Sequence, residues 1–259
     1  MPFCTADGIT YYTFDSLVSG VKQAVFTRLG GVSPEPWSSL NLGGTVGDER
    51  ERVVANRLRA LAAVGCDPRT VYDVWQVHGT DVVVAEEPRQ PENPYVQADA
   101  ILTDRPDVTL LMRFADCVPI LLYDPVRRVA GIAHAGWMGT VKGTVRSAVE
   151  VMRSRFHCSP ADILAAIGPS IGPDHYEIGP DVAAQVRKVF GPAAAELLIE
   201  RDGRTHFDLW GANRMHLEGA GVRQVELAGI CTACHTDRWF SHRAEKGRTG
   251  RFGALITLA

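Results

Sequence analysis

Three apolar runs, VTLLMRF, VPILLYD and RVAGIAH, follow one another between Val108 and His134 with only three residues separating each from the next. Each is short, rich in Val, Ile and Leu, and bounded by Asp, Pro or Ala, as strands are. No helix fits between them, so strict βαβ alternation is excluded where the chain is most apolar. Further strand-like runs, VKQAVFT, TVYDVW, DVVVAE, ILAAIG, RQVELAG and ALITLA, come in the same grouped fashion. The pattern predicts an α+β layered architecture. Four helices are expected beside it. Asp48 with Glu51 reads as a capping box for a first helix carrying Val54, Leu58, Leu61 and Ala62 on one face and stopped by Gly65. A second begins near Gly139 and presents Val141, Val145, Ala148, Met152 and Phe156; a third runs from Pro180 to Gly191 with Val182, Val186 and Val189; a fourth follows Asp208.

With 259 residues, 46% of them hydrophobic and 22% charged, the chain can bury a full core. The one linker-like stretch, EEPRQPENPYVQ over residues 86–97, has the length of a surface loop, so a single domain spanning 1–259 is expected. A net charge of −3 without runs of like charge provides no footprint for nucleic acid, which points to small-molecule partners. No basic leader or long apolar span is present, so no membrane partner is expected and the chain reads as cytoplasmic; its oligomeric state is not specified. Six cysteines are too sparse for a disulfide framework and are expected as thiols, metal ligands or nucleophiles.

Three polar residues interrupt the apolar pattern where strand-like runs give way to turns: His78 in VWQVHG, Cys117 in FADCVP and His134 in GIAHAGW. Two imidazoles and a thiolate are a common zinc set, and three protein ligands leave a fourth tetrahedral position open, as in catalytic sites. The alternative is packing, because a buried Cys behaves as a small hydrophobe and single histidines often hydrogen-bond within cores. Their spacing forms no compact metal motif, so both readings stand on the residues alone.

The stretch ADAILTDRPDVTLLMRFADCVPILLYDPVRRVAGIAHAGWMGT resembles the signature of the YfiH family, long labelled multicopper polyphenol oxidase (laccase) and also known as purine nucleoside phosphorylase-like. The resemblance continues in FTRLGGVSPEPWSSLNLGGTVGD, WQVHGTDV, IGPSIGPDHYEIG and CTACHTDRWFSHRAEKGRTGRFG, and so covers nearly the whole chain. It implies an α+β fold of mixed sheets flanked by helices and a single metal, usually zinc, held by His78, Cys117 and His134. It also implies phosphorolysis of adenosine, inosine and methylthioadenosine, with deamination of adenosine as a further activity; some members are linked instead to amidase-like editing of peptidoglycan precursors. The chain departs from the family pattern at Met138, His175 and His242, none of them a predicted ligand, and these departures bear on contacts at the pocket rim.

Laccase chemistry needs paired H-x-H and H-C-H histidines, whereas this chain has eight His and no H-x-H. Copper is therefore at most an adventitious occupant of the zinc ligands. Deamination lacks the H-x-E…P-C-x-x-C signature, and Asp116 is the nearest acid in sequence to serve as acid/base partner. For phosphorolysis, Arg28, Arg243 and Arg248 or Arg251, together with the helix start after HAGW, are candidate anion contacts, and Asn41 is a polar candidate in a Gly-rich turn. Trp137 and Tyr176 are candidates to stack on a purine. Cys117 acting as the nucleophile of an amidase is the alternative from a different class. The segment CTACHTDRWFSHR spells the C-x-x-C-H of haem attachment, but the expected compartment disfavours haem. A second zinc is also disfavoured, because Cys231 and Cys234 with one neighbouring His lack an evident fourth ligand. The segment is expected to leave a strand ending at Leu227 and to loop over the pocket, bringing Arg243 to it.

Overall fold

The computed structural model describes residues 2–90 and 92–259. Among them the strands are β1 (Phe3–Ala6), β2 (Ile9–Tyr12), β3 (Val21–Phe26), β4 (Val71–Tyr72), β5 (Val82–Val84), β6 (Ala100–Thr103), β7 (Thr109–Phe114), β8 (Val118–Asp124), β9 (Val129–Ala135), β10 (Leu164–Ile167), β11 (Leu198–Arg201), β12 (Arg204–Phe207), β13 (Gln224–Leu227) and β14 (Phe252–Leu258). The helices are α1 (Arg50–Ala63), α2 (Trp137–Lys142), α3 (Thr144–Phe156), α4 (Pro180–Phe190), α5 (Ala194–Leu197) and α6 (Leu209–Gly219). One six-stranded sheet has the order β1-β2-β3-β14-β7-β4 and a second the order β13-β10-β8-β9-β6-β5; β11 and β12 form a separate hairpin. Both large sheets are mixed: β4 pairs parallel with β7, β5 with β6 and β10 with β13, while their other pairings are antiparallel. The chain is a single domain of mixed sheets with flanking helices.

The sheets lie face to face, and alternation along each strand shows how. Leu110, Met112 and Phe114 of β7 and Ala254 and Ile256 of β14 share a buried cluster with Leu121 of β8 and Ile132 of β9, which is the core between the sheets. Their neighbours Ile120, Leu122 and Ala133 point the other way, into a cluster with Val145, Ala148 and Met152 of α3 and Ala212 and Leu217 of α6. Leu111 and Leu255 point outward from the first sheet against Ala60 and Leu61 of α1. Successive residues in a strand face opposite sides, so a strand covered on both sides must be apolar throughout. This accounts for the uninterrupted character of VPILLYD, buried at every position.

Several local expectations change. Asp48 does not cap α1: its Oδ2 accepts from Ser33 Oγ at 2.6 Å and Asn41 Nδ2 at 2.8 Å, and the helix starts after Glu49 without a side-chain cap. The inner face of α1 is also rotated from the expected one, leaving Val54 and Leu58 about half exposed. The buried face carries Val53, Ala60 and Leu61 and, among them, the polar Asn56. Its Nδ2 donates to Ser33 Oγ, Ser39 O and Asn41 O, and its Oδ1 accepts from Val32 N, so the residue is drawn inward to satisfy loop backbone. The second expected helix is two, parted at Gly143, whose φ of +84° only glycine adopts readily. On α4, Val186 is buried but Val189 is outward. The third and fourth helices start as expected, with Pro180 opening α4 and Asp208 capping α6 through Gly211 N. Among the described residues no helix is long and apolar enough to cross a membrane.

Leu121 is fully buried between the sheets, so Leu121→Ala should destabilise the protein by about 2–5 kcal/mol, read as a lower denaturant midpoint with an unchanged slope.

Candidate metal centre

The antiparallel pairing of β8 and β9 ends at Val118 opposite Ala135, and the residues just beyond it meet at one end of the two-sheet core. Cys117 precedes β8, His134 is the penultimate residue of β9, and His78 arrives on the loop between β4 and β5. One donor atom from each lies within 4.8 Å of the others, and Cys117 Sγ is 3.9 Å from His78 Nε2. The approach is close enough to dictate its neighbours. A Cβ at Gly136 would sit 2.8 Å from Cys117 Sγ and 3.0 Å from His78 Cδ2, so only glycine fits. Residues His78 and Asp116 both take positive φ, +59° and +79°, an uncommon conformation for side-chain-bearing residues.

Asp99, fully buried one residue before β6, organises the group. Its Oδ1 is 2.8 Å from His134 Nδ1 and accepts from His78 N at 3.0 Å; its Oδ2 accepts from Val77 N at 3.1 Å and Gly79 N at 2.6 Å. With Nδ1 so engaged, His134 presents Nε2, which is the outer-shell arrangement metal-binding histidines use. Burial opposes ionisation of Asp99, but the His134 contact and these N–H donors outweigh it and hold the carboxyl below its ordinary range. Burial likewise pushes the Cys117 thiol up, yet His134 and His78 hold it at about 6. Burial works against charge on His134, and the Cys117 thiolate and Asp99 raise it to about 9. The three side chains therefore fit a divalent cation: one thiolate, two ring nitrogens, a carboxylate behind one of them, and a cavity in front.

That cavity measures about 830 Å³ and is lined by His78, Asp116, Cys117 and His134 together with Trp137, Tyr176, Arg243 and Arg251. Tyr176 and Arg243 lie against each other, with the guanidinium carbon 4.9 Å from the ring centroid, and Arg243 Nη1 donates to Glu177 O at 2.8 Å. Strand β13 does end at Leu227, and of the segment after it His242, Arg243 and Arg251 reach the cavity wall, while Trp239 and Phe240 are buried in the core between the sheets. Asp116 lines the wall with its carboxylate occupied: Oδ1 accepts from Thr232 Oγ1 at 2.7 Å and Oδ2 from Arg243 N at 2.6 Å. It fastens the C-terminal loop to the metal-side loop.

Two expected substrate contacts lie elsewhere. Arg28 is buried outside the cavity lining, donating to Ser38 O, Thr236 O and Glu245 Oε1 and lying 4.5 Å over Phe240. Its Nη1 clamps the C-terminal loop through Thr236 and Glu245, while its Nε ties down Ser38. Asn41 is fully buried behind the wall, where it bonds Gly43 in both directions and accepts from Arg251 N at 2.9 Å. It shapes the turn that faces the cavity without reaching it. Arg248 and Met138 are likewise outside the lining, whereas His242 is part of it. Several lining residues had no sequence signal: Arg50, Arg57, Arg113, Trp75 and Tyr95. Arg113 and Arg57 converge on the buried Asp73, at 2.6 and 3.8 Å. Asp99, by contrast, carried a readable signal, a carboxylate set directly against the apolar run AILT.

A two-sheet α+β fold with a thiolate and two imidazoles at the end of its core defines a class of metal-competent cavity proteins, and comparison places the chain within it. Residues 22–259 match the family model described as "Multi-copper polyphenol oxidoreductase laccase", and the chain belongs to that family, the YfiH family. It is 42% identical over 254 residues to a purine nucleoside phosphorylase of Deinococcus radiodurans, covering 98% of this chain and 95% of that protein. It is 34% identical to the purine nucleoside phosphorylase YfiH of Escherichia coli, covering 92% of this chain and 94% of that one. The crystal structure of YlmD from Geobacillus stearothermophilus superposes with a TM-score of 0.92 at 34% identity, covering 99% of this chain and 98% of that one.

Replacing Cys117 or His134 by alanine should lower the divalent metal taken up by folded, metal-supplemented protein by about one ion per chain, read by elemental analysis. Asp99→Asn, which cannot hold His134 in the same way, should weaken zinc affinity at this site about 10–100-fold, measured by competition with a chromophoric chelator.

Proposed function

We propose that the chain is a zinc-dependent purine nucleoside phosphorylase acting on adenosine, inosine or methylthioadenosine, with its reaction in the cavity beside His78, Cys117 and His134. The observation that carries this reading is the conjunction of a three-ligand open metal set with aromatic and arginine side chains in one cavity. Its volume, about 830 Å³, lies within the range of small-molecule sites and accommodates a nucleoside with phosphate. The names of the relatives support the same chemistry.

In phosphorolysis a phosphate oxygen bonds to C1′ while the C1′–N9 bond breaks and its electron pair leaves with the purine. The ribose carries positive charge in the transition state, and the site must hold an anion beside it. Arg243 and Arg251 are cavity-lining cations suited to that anion, and Arg50 adds a third. Trp137 and Tyr176 are lining aromatic side chains placed to stack on the base, Tyr176 backed by Arg243. Zinc bound at the three ligands would supply Lewis acidity, which also suits an activated water for deamination of adenosine at C6.

A second reading has its own support. In the absence of metal, Cys117, His134 and Asp99 form a thiolate–imidazole–carboxylate series of the kind used by cysteine hydrolases, which supports the amidase reading; a peptidoglycan precursor as its substrate rests on the family resemblance. Metal dependence separates the two.

Purified protein should release free purine from adenosine or inosine only when phosphate is present, and Cys117→Ala and His134→Ala should lose at least about 100-fold in kcat/KM. Release unchanged without phosphate, or activity confined to a phenolic substrate with copper, is the contrary result. Arg243→Ala should raise the KM for phosphate about tenfold with zinc content intact. Alkylation by iodoacetamide discriminates the amidase reading: metal-free protein should react at Cys117 at a rate that falls as pH drops through about 6, and zinc should protect it. Amidase activity that survives chelation and is abolished by this alkylation would replace the phosphorylase reading.

A further inference from the structure

The segment opened by Cys231 folds back on a loop that precedes it by more than fifty residues. Ser170 N donates to Ile230 O at 3.1 Å and Thr232 N to Ser170 O at 3.0 Å, which pins Cys231 beside residues 172–176. There the Cys pair meets Asp174 and His175, and one donor atom from each of the four lies within 4.8 Å of the others. His235, the last residue of the C-x-x-C-H motif, is not among them. The donors missing from the local sequence come from the other loop.

We propose that Asp174, His175, Cys231 and Cys234 form a second zinc site, structural in type, beside the loop that carries Tyr176 to the cavity wall. The argument is geometric. Around a tetrahedral zinc with bonds of about 2.3 Å to sulfur and about 2.0–2.2 Å to nitrogen and oxygen, donor atoms stand about 3.4–3.8 Å apart. Here His175 Nδ1 is 3.8 Å from Cys231 Sγ and 3.5 Å from Cys234 Sγ, Cys234 Sγ is 3.7 Å from Asp174 Oδ2, and Asp174 Oδ2 is 3.1 Å from His175 Nδ1. Four of the six edges of a coordination tetrahedron are thus close to their zinc-bound lengths. Gly172 N donates to Cys231 Sγ at 3.2 Å, an outer-shell bond that favours a thiolate. A Cβ at Gly172 would stand 2.8 Å from Asp174 Oδ1 and 3.1 Å from Cys231 Cβ, so the loop closes around the four donors only with glycine there. Asp174, His175 and Cys234 are exposed, which gives a cation direct access. Two thiolates with one imidazole and one carboxylate select zinc over the hard cations.

Four protein ligands leave no open position, so the site's work is mechanical. His175 adjoins Tyr176, and the Cys231 loop leads to Arg243, so one ion would tie together the two loops that deliver these side chains to the cavity.

The site shares no ligand with the cavity metal, so the two are tested separately. Protein purified under reducing conditions should carry about two zinc ions per chain, falling to about one in Cys117→Ala and, independently, to about one in Cys234→Ser or His175→Ala. Circular dichroism checks that each variant is folded. Cobalt added to metal-free Cys117→Ala protein should give thiolate-to-cobalt charge-transfer bands that vanish in the Cys117→Ala/Cys234→Ser double variant. The proposal is overturned if folded Cys117→Ala binds neither metal, if Cys234→Ser leaves its uptake unchanged, or if Cys231 and Cys234 are isolated as a disulfide.

Discussion

The site hangs on one buried carboxylate. Asp99 has no solvent exposure and satisfies itself entirely with the ring nitrogen of His134 and the backbone N–H groups of residues 77–79. A carboxylate taken out of water is costly unless its oxygens are filled with donors, and here the donors are the loop that carries His78 and the strand that carries His134. Satisfying the charge and assembling the site are therefore one event. The positive φ at His78 follows as well, because the loop must turn sharply to aim three successive N–H groups at one side chain.

Around that anchor the layered frame divides the labour. The end of the inter-sheet core supplies rigidity, since Cys117 and His134 sit where paired strands stop and cannot drift without unpairing them. Cavity walls come from loops with weaker covalent logic and many polar ties. Asp73 gathers Arg113, Arg89 and Arg57; Arg28 and Glu245 clamp the C-terminal loop; Asn41 holds the Gly43 turn against Arg251. Several conspicuous charged or polar residues thus serve the walls and never face the cavity.

This explains which parts of the chain were legible in advance. Strands such as VPILLYD announced themselves by apolar content, but with both faces covered the alternation that assigns faces was invisible. The hairpin β11–β12 and the half-exposed β1 and β2 carried too little apolar signal to be read. On α1 the apolar stripe misled, because the buried face runs through Val53, Asn56, Ala60 and Leu61 and leaves Val54 and Leu58 beside it. The candidate metal donors His78, Cys117 and His134 were conspicuous, being polar residues at the ends of apolar runs. Arg50, Arg113 and Trp75 were not, since an arginine beside a cavity and one in water look alike in sequence. Arg28 and Asn41 show the reverse error: motif membership marked them, and only the hydrogen-bond partners reveal that their role is to hold backbone.

Strand β14 lies in the interior of its sheet, between β3 and β7, with Leu258 opposite Val21 and Thr257 opposite Thr109. Its partners are distant in the chain, so the sheet can close only after a long search, and contacts of this kind slow folding. Until β14 docks, β3 and β7 each present a bare edge able to recruit a strand from another molecule. The loop bearing Arg243 and Arg251 is tethered between β13 and β14, and its final placement therefore waits on the same step.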